Sequence, residues 1–217
     1  MSKDKQTVTV EIVSDAICPW CWIGKRRLEA AATILRDRYT LDTVWKPFEL
    51  NPGLPPEGVP RDQYRQMKFG SLDHSRRLDR KVAEAGADAG LEFRHDLMQW
   101  TPNTIECHRL IWLAGREGKQ DDLVEHLFRA YFHEGRNIGE RGVMLDAAVA
   151  AGIDRGEAER FLDSDEGRTE VMSELERARQ SGINGVPTFM VNGQPVISGA
   201  VPHDMLARAI IDAVETS

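Results

Sequence analysis

The chain has 217 residues, 41% of them hydrophobic and 29% charged, a composition that suits a globular protein with an ordinary core. Its formal net charge of -7 argues against nucleic acid as the main partner, because phosphate binding needs a basic face. No apolar run approaches the roughly 20 residues of a membrane helix.

The segment from Met1 to Gln6 has neither the apolar stretch nor the cleavage site of a signal peptide, so the expectation is a cytoplasmic protein without a membrane partner. There are three cysteines, Cys18, Cys21 and Cys107. That is too few for a disulfide framework, and in a reducing compartment a C-x-x-C pair reads as catalytic or metal-binding.

Residues 7–14 are rich in β-branched residues and predict a strand with Val8, Val10 and Ile12 on one face. A strand-to-helix junction follows at Asp15-Ala16-Ile17-Cys18-Pro19-Trp20-Cys21. Pro19 fits the first helical turn, where a missing N–H costs nothing, and the helix is expected to reach about Arg36. Residues 41–50 predict a second strand, in which Pro47 marks a kink or an edge position.

The run Asn51-Pro52-Gly53-Leu54-Pro55-Pro56 marks a boundary. From about 60 to 182 the apolar spacing is helical, with Val124, Leu127, Phe128 and Tyr131 on one face and Val171, Leu175 and Ala178 on another. Then Val186–Val191 and Pro195–Ser198 flank Asn192-Gly193 and Gln194, a strong hairpin signal. A closing helix after Pro202 should bury Met205, Leu206, Ala209, Ile210 and Ala213. The order is βαβ, a helical block, then ββα. It predicts an α/β thioredoxin fold with a large α-helical insertion, the core being 1–55 with 185–217 and the insertion 56–184.

The chemistry is expected at the C-x-x-C motif. A helix N-terminus presents unpaired N–H groups and the positive end of the dipole, which favour a thiolate. Cys18 stands there, and Cys21 lies about one turn on, where its sulfur reaches back. Cys18 is the expected attacking thiol and Cys21 the resolving thiol, with Pro19 and Trp20 tuning the pair. If the strand after Gly185 runs antiparallel to the first strand, Val186 and Pro187 lie beside Cys18, and a cis bond there would offer the Val186 backbone to an extended substrate.

The segment Ser14 to Gly24 resembles the DsbA-like thioredoxin proteins of the FrnE type. So do Pro47-Phe48-Glu49-Leu50-Asn51-Pro52, Asn103-Thr104 with His108-Arg109, and Gly185-Val186-Pro187-Thr188-Phe189. The resemblance implies a thioredoxin fold with a helical insertion, a redox-active Cys18–Cys21 pair, a cis-proline at Pro187, and dithiol oxidoreductase or disulfide isomerase activity. It implies no cofactor beyond the protein's own disulfide. The partners are then a thiol- or disulfide-containing protein or small molecule and a redox recycling partner. Some FrnE-type members carry a second cysteine pair near the C-terminus, which this chain lacks. A related branch holds kappa-class glutathione transferases and 2-hydroxychromene-2-carboxylate isomerases, with serine in place of the first cysteine. Both cysteines here favour redox exchange over that alternative, in which glutathione is a co-substrate.

A zinc site would need two further ligands beyond Cys18 and Cys21, and no second C-x-x-C exists, so no metal is expected; a non-catalytic binding or zinc module is the reading from another class. Cys107 shares a stripe with Leu110, Ile111 and Ala114 and reads as a buried structural thiol. Asp15 and Glu49 are either buried proton acceptors for Cys21 or exposed carboxylates. His108 and Arg109 either line the groove or cap a helix. Trp20 is expected near the surface.

Overall fold

A computed structural model describes residues 5–216, so the reading of the segment 1–4 and of residue 217 lies outside the described residues. Strand β1 (Gln6–Ser14) buries Val8, Val10 and Ile12 on one face. Toward its C-terminal end Val13 and Ser14 are buried as well, so the strand that leads into the motif is covered on both faces where it ends. Helix α1 (Pro19–Leu35) starts with proline in its first turn.

Strand β2 (Tyr39–Pro47) runs parallel to β1, from Gln6 opposite Tyr39 to Ser14 opposite Pro47. It starts earlier and stops sooner than the expected 41–50. Phe48 N–H still donates to the Ser14 carbonyl at 2.9 Å, which continues the pairing with β1, and the chain has left the ladder by Leu50, whose N–H turns to Asp15 Oδ2 at 2.7 Å.

The helical block comprises α2 (Arg61–Phe69), α3 (Leu72–Asp88), α4 (Ile105–Arg116), α5 (Gln120–Phe128), a π-helical turn over Arg129–His133, α6 (Arg141–Ala150), α7 (Arg155–Leu162) and α8 (Arg168–Gln180). A short antiparallel pair, β3 (Val59–Pro60) with β4 (Trp100–Thr101), interrupts it. Two residues carry too little pattern for such a pair to be expected from sequence.

The chain closes with β5 (Thr188–Val191), β6 (Gln194–Ser198) and α9 (His203–Glu215). Gln194 belongs to β6, which leaves the two-residue turn Asn192-Gly193 with φ of 51° and 73°. Helix α9 buries Leu206, Ala207 and Ile210, whereas Met205, expected inside, is 53% exposed. The buried stripe is rotated by one position because Ala207 turns inward instead.

The main sheet has the order β2-β1-β5-β6, with β5 antiparallel to both neighbours. Pro47 therefore ends an edge strand, where it costs no ladder bond. One apolar core joins sheet and helical block, with Ile12, Trp22 and Trp45 packing in the same cluster as Phe93, Phe128 and Phe132. Trp22 stacks on Phe132 with centroids 6.0 Å apart and meets the edge of Phe93 at 5.3 Å. The buried Lys25 of α1 reaches Asp121 of α5 at 2.8 Å and Glu29 at 2.6 Å. The helix carrying the cysteines is thereby clamped to the insertion by aromatic packing and by charge. No helix among the described residues is long and apolar enough to cross a membrane.

Candidate active site

Cys18 is the N-cap residue of α1, with extended backbone (φ -92°, ψ 110°), and its N–H donates to the Asp15 carbonyl at 3.0 Å. Both motif cysteines are free thiols; Cys18 is 3% exposed and Cys21 fully buried. Trp20 stands out of the surface at 37% exposure, as its place in the first turn requires. Burial and the adjacent Cys18 sulfur push the Cys21 thiol well up, against the Ser14 hydroxyl and the Asp15 backbone amide, which favour its thiolate. Ser14 was not singled out in the sequence. Its only signal is a polar residue at the end of an apolar strand.

The antiparallel pairing of Val13 with Thr188 lays the start of β5 beside the end of β1. Across that junction the Cys18 thiol donates to the Val186 carbonyl at 3.5 Å, and the Val186–Pro187 bond is cis. Gly24 lets α1 approach this loop closely. A Cβ at that position would lie 2.9 Å from Pro187 Cγ and 3.2 Å from Phe189 Cζ.

Beneath the motif sits a buried polar cluster. Asp15 is fully buried, its Oδ2 accepting from Leu50 N–H at 2.7 Å and its Oδ1 lying 3.6 Å from His108 Nε2. That nitrogen donates to the Phe48 carbonyl at 2.9 Å. The Glu49 side chain is 8% exposed, with Arg179 at 4.0 Å. Burial holds its carboxyl above the ordinary range, and Asp15 adds to this, while His108 and Arg179 oppose it. Neither carboxylate is an exposed one.

His108 therefore sits under the site rather than in the groove. Arg109, 1% exposed, does something else: it donates to the carbonyls of Phe161, Ser164 and Glu166 and ties down the chain after α7. Cys107 donates to the Ile138 carbonyl at 3.3 Å, and burial pushes its thiol far up, so it is an inert core group. Among the described residues no group of three or more His, Cys, Asp or Glu side chains is placed to hold a metal ion.

Cys18, Trp20 and Val186 open onto a cleft of about 340 Å³. Its far wall is built from α2 and α3 and carries Arg61, Arg65, Lys68 and Lys81. A cysteine at a helix N-terminus, a second cysteine one turn on and a cis-proline loop against the first sulfur define a thioredoxin-fold protein with a dithiol site. The chain belongs to the DSBA-like thioredoxin domain family, whose model matches residues 9–211. Over 97% of its length it superposes, with a TM-score of 0.88 and 29% identity, on 91% of a probable DsbA oxidoreductase, SCO1869, from Streptomyces coelicolor. It is 26% identical over 208 residues to the uncharacterized protein YwbO of Bacillus subtilis (strain 168), covering 95% of this chain and 97% of that one. The 2-hydroxychromene-2-carboxylate isomerase structure shares the fold at 16% identity and a TM-score of 0.72, over 96% of this chain and 97% of that one.

Proposed function

We propose that this protein is a thiol–disulfide oxidoreductase of the DsbA-like class, exchanging a dithiol for a disulfide at Cys18 and Cys21. The observation that carries the reading is the contrast between the two thiols. One caps a helix and lies against the Val186 carbonyl, while the other is sealed in the core a turn away. The first is the attacking group and the second the resolving group. Pro19 starts the helix that Cys18 caps, Trp20 lines the mouth of the cleft, and Val186 with Pro187 receives the substrate backbone or its equivalent.

The exchange balances within the protein. The Cys18 thiolate attacks a substrate disulfide, forms a mixed disulfide and expels one substrate thiolate. Cys21 then gives up its proton, attacks the Cys18 sulfur, expels the second thiolate and leaves a Cys18–Cys21 disulfide. Glu49 is the favoured acceptor of the Cys21 proton, because its burial brings a carboxylate closer to the range where it can take one. Asp15 holds the loop that carries Glu49, through Leu50 N–H. Disulfide isomerisation uses the same two thiols without net electron flow.

The cycle needs a recycling partner, either a thiol such as glutathione or a second redox protein. A cytoplasmic setting and placement in the FrnE-type branch are consistent with the C-P-W-C motif and the Gly185-Val186-Pro187-Thr188 segment. Both cysteines of the motif speak against the transferase and isomerase alternative.

Equilibration with glutathione redox buffers, followed by alkylation and mass spectrometry, tests the reading. A single Cys18–Cys21 couple is expected. A potential near thioredoxin's, about -270 mV, identifies a reductase, and one near about -120 mV identifies an oxidant. If no such disulfide forms at any poise, the redox reading fails.

A further inference from the structure

The chain is acidic, with 35 Asp and Glu against 28 Lys and Arg, yet the cleft over Cys18 has the opposite balance. Its lining holds the side chains of Arg61, Arg65, Lys68 and Lys81 and a single carboxylate, Asp79. That carboxylate is already engaged by Arg61 at 2.9 Å and Arg65 at 2.5 Å. His95, on the same wall, adds no negative charge, and burial favours its neutral form.

The two lysines differ from the arginines. Lys68 Nζ is held only by neutral oxygens, Asn51 Oδ1 at 2.9 Å and Tyr64 Oη at 2.6 Å. Lys81 forms no ion pair or hydrogen bond through its ammonium among the described residues. The amide that anchors Lys68 is itself incomplete. Asn51 Nδ2 is buried and lacks a hydrogen-bond partner, and among the described residues no other buried side-chain polar atom does.

We propose that the cleft selects small disulfides and thiols that carry carboxylate groups, with Lys68 and Lys81 binding the carboxylate while Cys18 attacks the sulfur. The proposal rests on the redox reading above and deepens it by naming the substrate chemistry. A volume of about 340 Å³ is that of a small-molecule site, and pockets of this kind run from about 300 to 1,000 Å³. Both ammonium groups are exposed, so their pull on a carboxylate is screened by salt and shows in the ionic-strength dependence of the rate. In the reaction, Cys18 and Cys21 lose two electrons to the substrate S–S bond, and the two substrate thiolates leave and take up the two protons. A thiol reductant restores the pair.

Three alkyl disulfides of similar size serve as probes: 3,3′-dithiodipropionate (anionic), 2-hydroxyethyl disulfide (neutral) and cystamine (cationic). Each is mixed with the reduced protein, and the rate constant is divided by that of dithiothreitol with the same disulfide, which removes intrinsic reactivity. The expected order is anionic, neutral, cationic, with the ends separated by about tenfold or more at low salt. The Lys68→Gln, Lys81→Gln double variant should lower the anionic-to-neutral ratio about five- to tenfold, and Lys68→Arg, Lys81→Arg should restore most of it. Raising salt from about 0.05 to 0.5 M should shrink the ratio in the parent protein and leave it nearly flat in the Gln variant. Equal normalised rates for the three probes overturn the proposal, as does a Gln variant whose ratio equals the parent's. If none of the probes oxidises Cys18 and Cys21, the redox reading itself has failed instead.

Discussion

His108 of α4 and Asp15 at the end of β1 meet in the buried space under the cysteine motif, Nε2 lying 3.6 Å from Oδ1. The same nitrogen donates to the Phe48 carbonyl at 2.9 Å, so one side chain from the helical insertion braces both loops that shape the base of the site. A buried group with such partners is costly to remove, since its loss leaves the Phe48 carbonyl without this hydrogen bond and opens space beside the buried Asp15 carboxylate.

Replacing His108 with Ala should destabilise the protein by about 2–4 kcal/mol, the sum of an unpaired carbonyl and a small cavity. In a chain of this size that corresponds to a fall in Tm of about 5–10 °C. Calorimetry checks it, with the exposed His74→Ala as the control expected near zero. Equal Tm values for the two variants would contradict the bracing role.

The two motif cysteines should separate cleanly when each is replaced. With Cys21→Ala, Cys18 still attacks but nothing resolves the product, so intact mass spectrometry should show the mixed disulfide accumulating. Cys18→Ala should give no adduct. An adduct on Cys21 or Cys107 in folded Cys18→Ala would refute the assignment, because both thiols are fully buried.

The second step should accelerate with pH. Burial and the Cys18 sulfur hold the Cys21 thiol well above its ordinary range, so its thiolate is scarce near neutrality. Below that pKa the thiolate fraction rises about tenfold per pH unit, and resolution of a preformed mixed disulfide should follow unless a base intervenes. Stopped-flow fluorescence of the neighbouring Trp20 and Trp22 reports it. If Glu49 is the acceptor, the profile flattens in the parent protein and steepens in Glu49→Gln. Identical profiles would remove Glu49 from the proton path.

Glu49→Gln also carries a stability prediction. Its folded pKa is raised by burial, so the native state binds this proton more tightly than the unfolded chain does. The ionised group therefore costs stability at neutral pH. The cost is absent below the ordinary value of 4.5 and grows as pH rises through the window between that value and the folded one. The Gln variant should melt about 1–3 °C higher at pH 7.5, with the gain vanishing near pH 4. A lower melting temperature at pH 7.5 would show that the Arg179 contact outweighs burial.

Gly24→Ala probes the seat of α1 against the cis-proline loop. The added Cβ would lie 2.9 Å from Pro187 Cγ, so the helix or the loop must move, at a cost of about 1–3 kcal/mol. Both Tm and the rate of disulfide exchange should fall. An unchanged rate in a folded variant would mean that the Cys18 to Val186 geometry tolerates the shift.

Much of this site is legible in the sequence, because it is built from local rules. Pro19 after Cys18 starts a helix, a three-residue spacing brings Cys21 back toward Cys18, and Asn192-Gly193 turns a hairpin. Each depends on residues within a few positions of one another, and the pattern of apolar spacing supplies the remaining elements. What failed locally failed for a local reason: Met205 fits the apolar stripe of α9 in a helical projection, but Ala207 takes the inward position against the core.

The long-range part was open. Nothing near Asp15 or Glu49 says whether either is buried, and His108 gives no sign of reaching the end of β1 from a distant helix. Burial of a polar group is decided by what packs over it, and here that cover is the helical insertion. The sequence by itself determined the element order, the identity of the two thiols and their place at a helix N-terminus, since these follow from short-range propensity and spacing. Only the tertiary structure decided that Ser14 touches Cys21, that Asp15, Glu49 and His108 share one buried cluster, and that Lys68 and Lys81 face the cysteine across a cleft. Hydrogen bonds and charge act through space, and the chain brings these residues together only when α2, α3 and α4 close over the sheet.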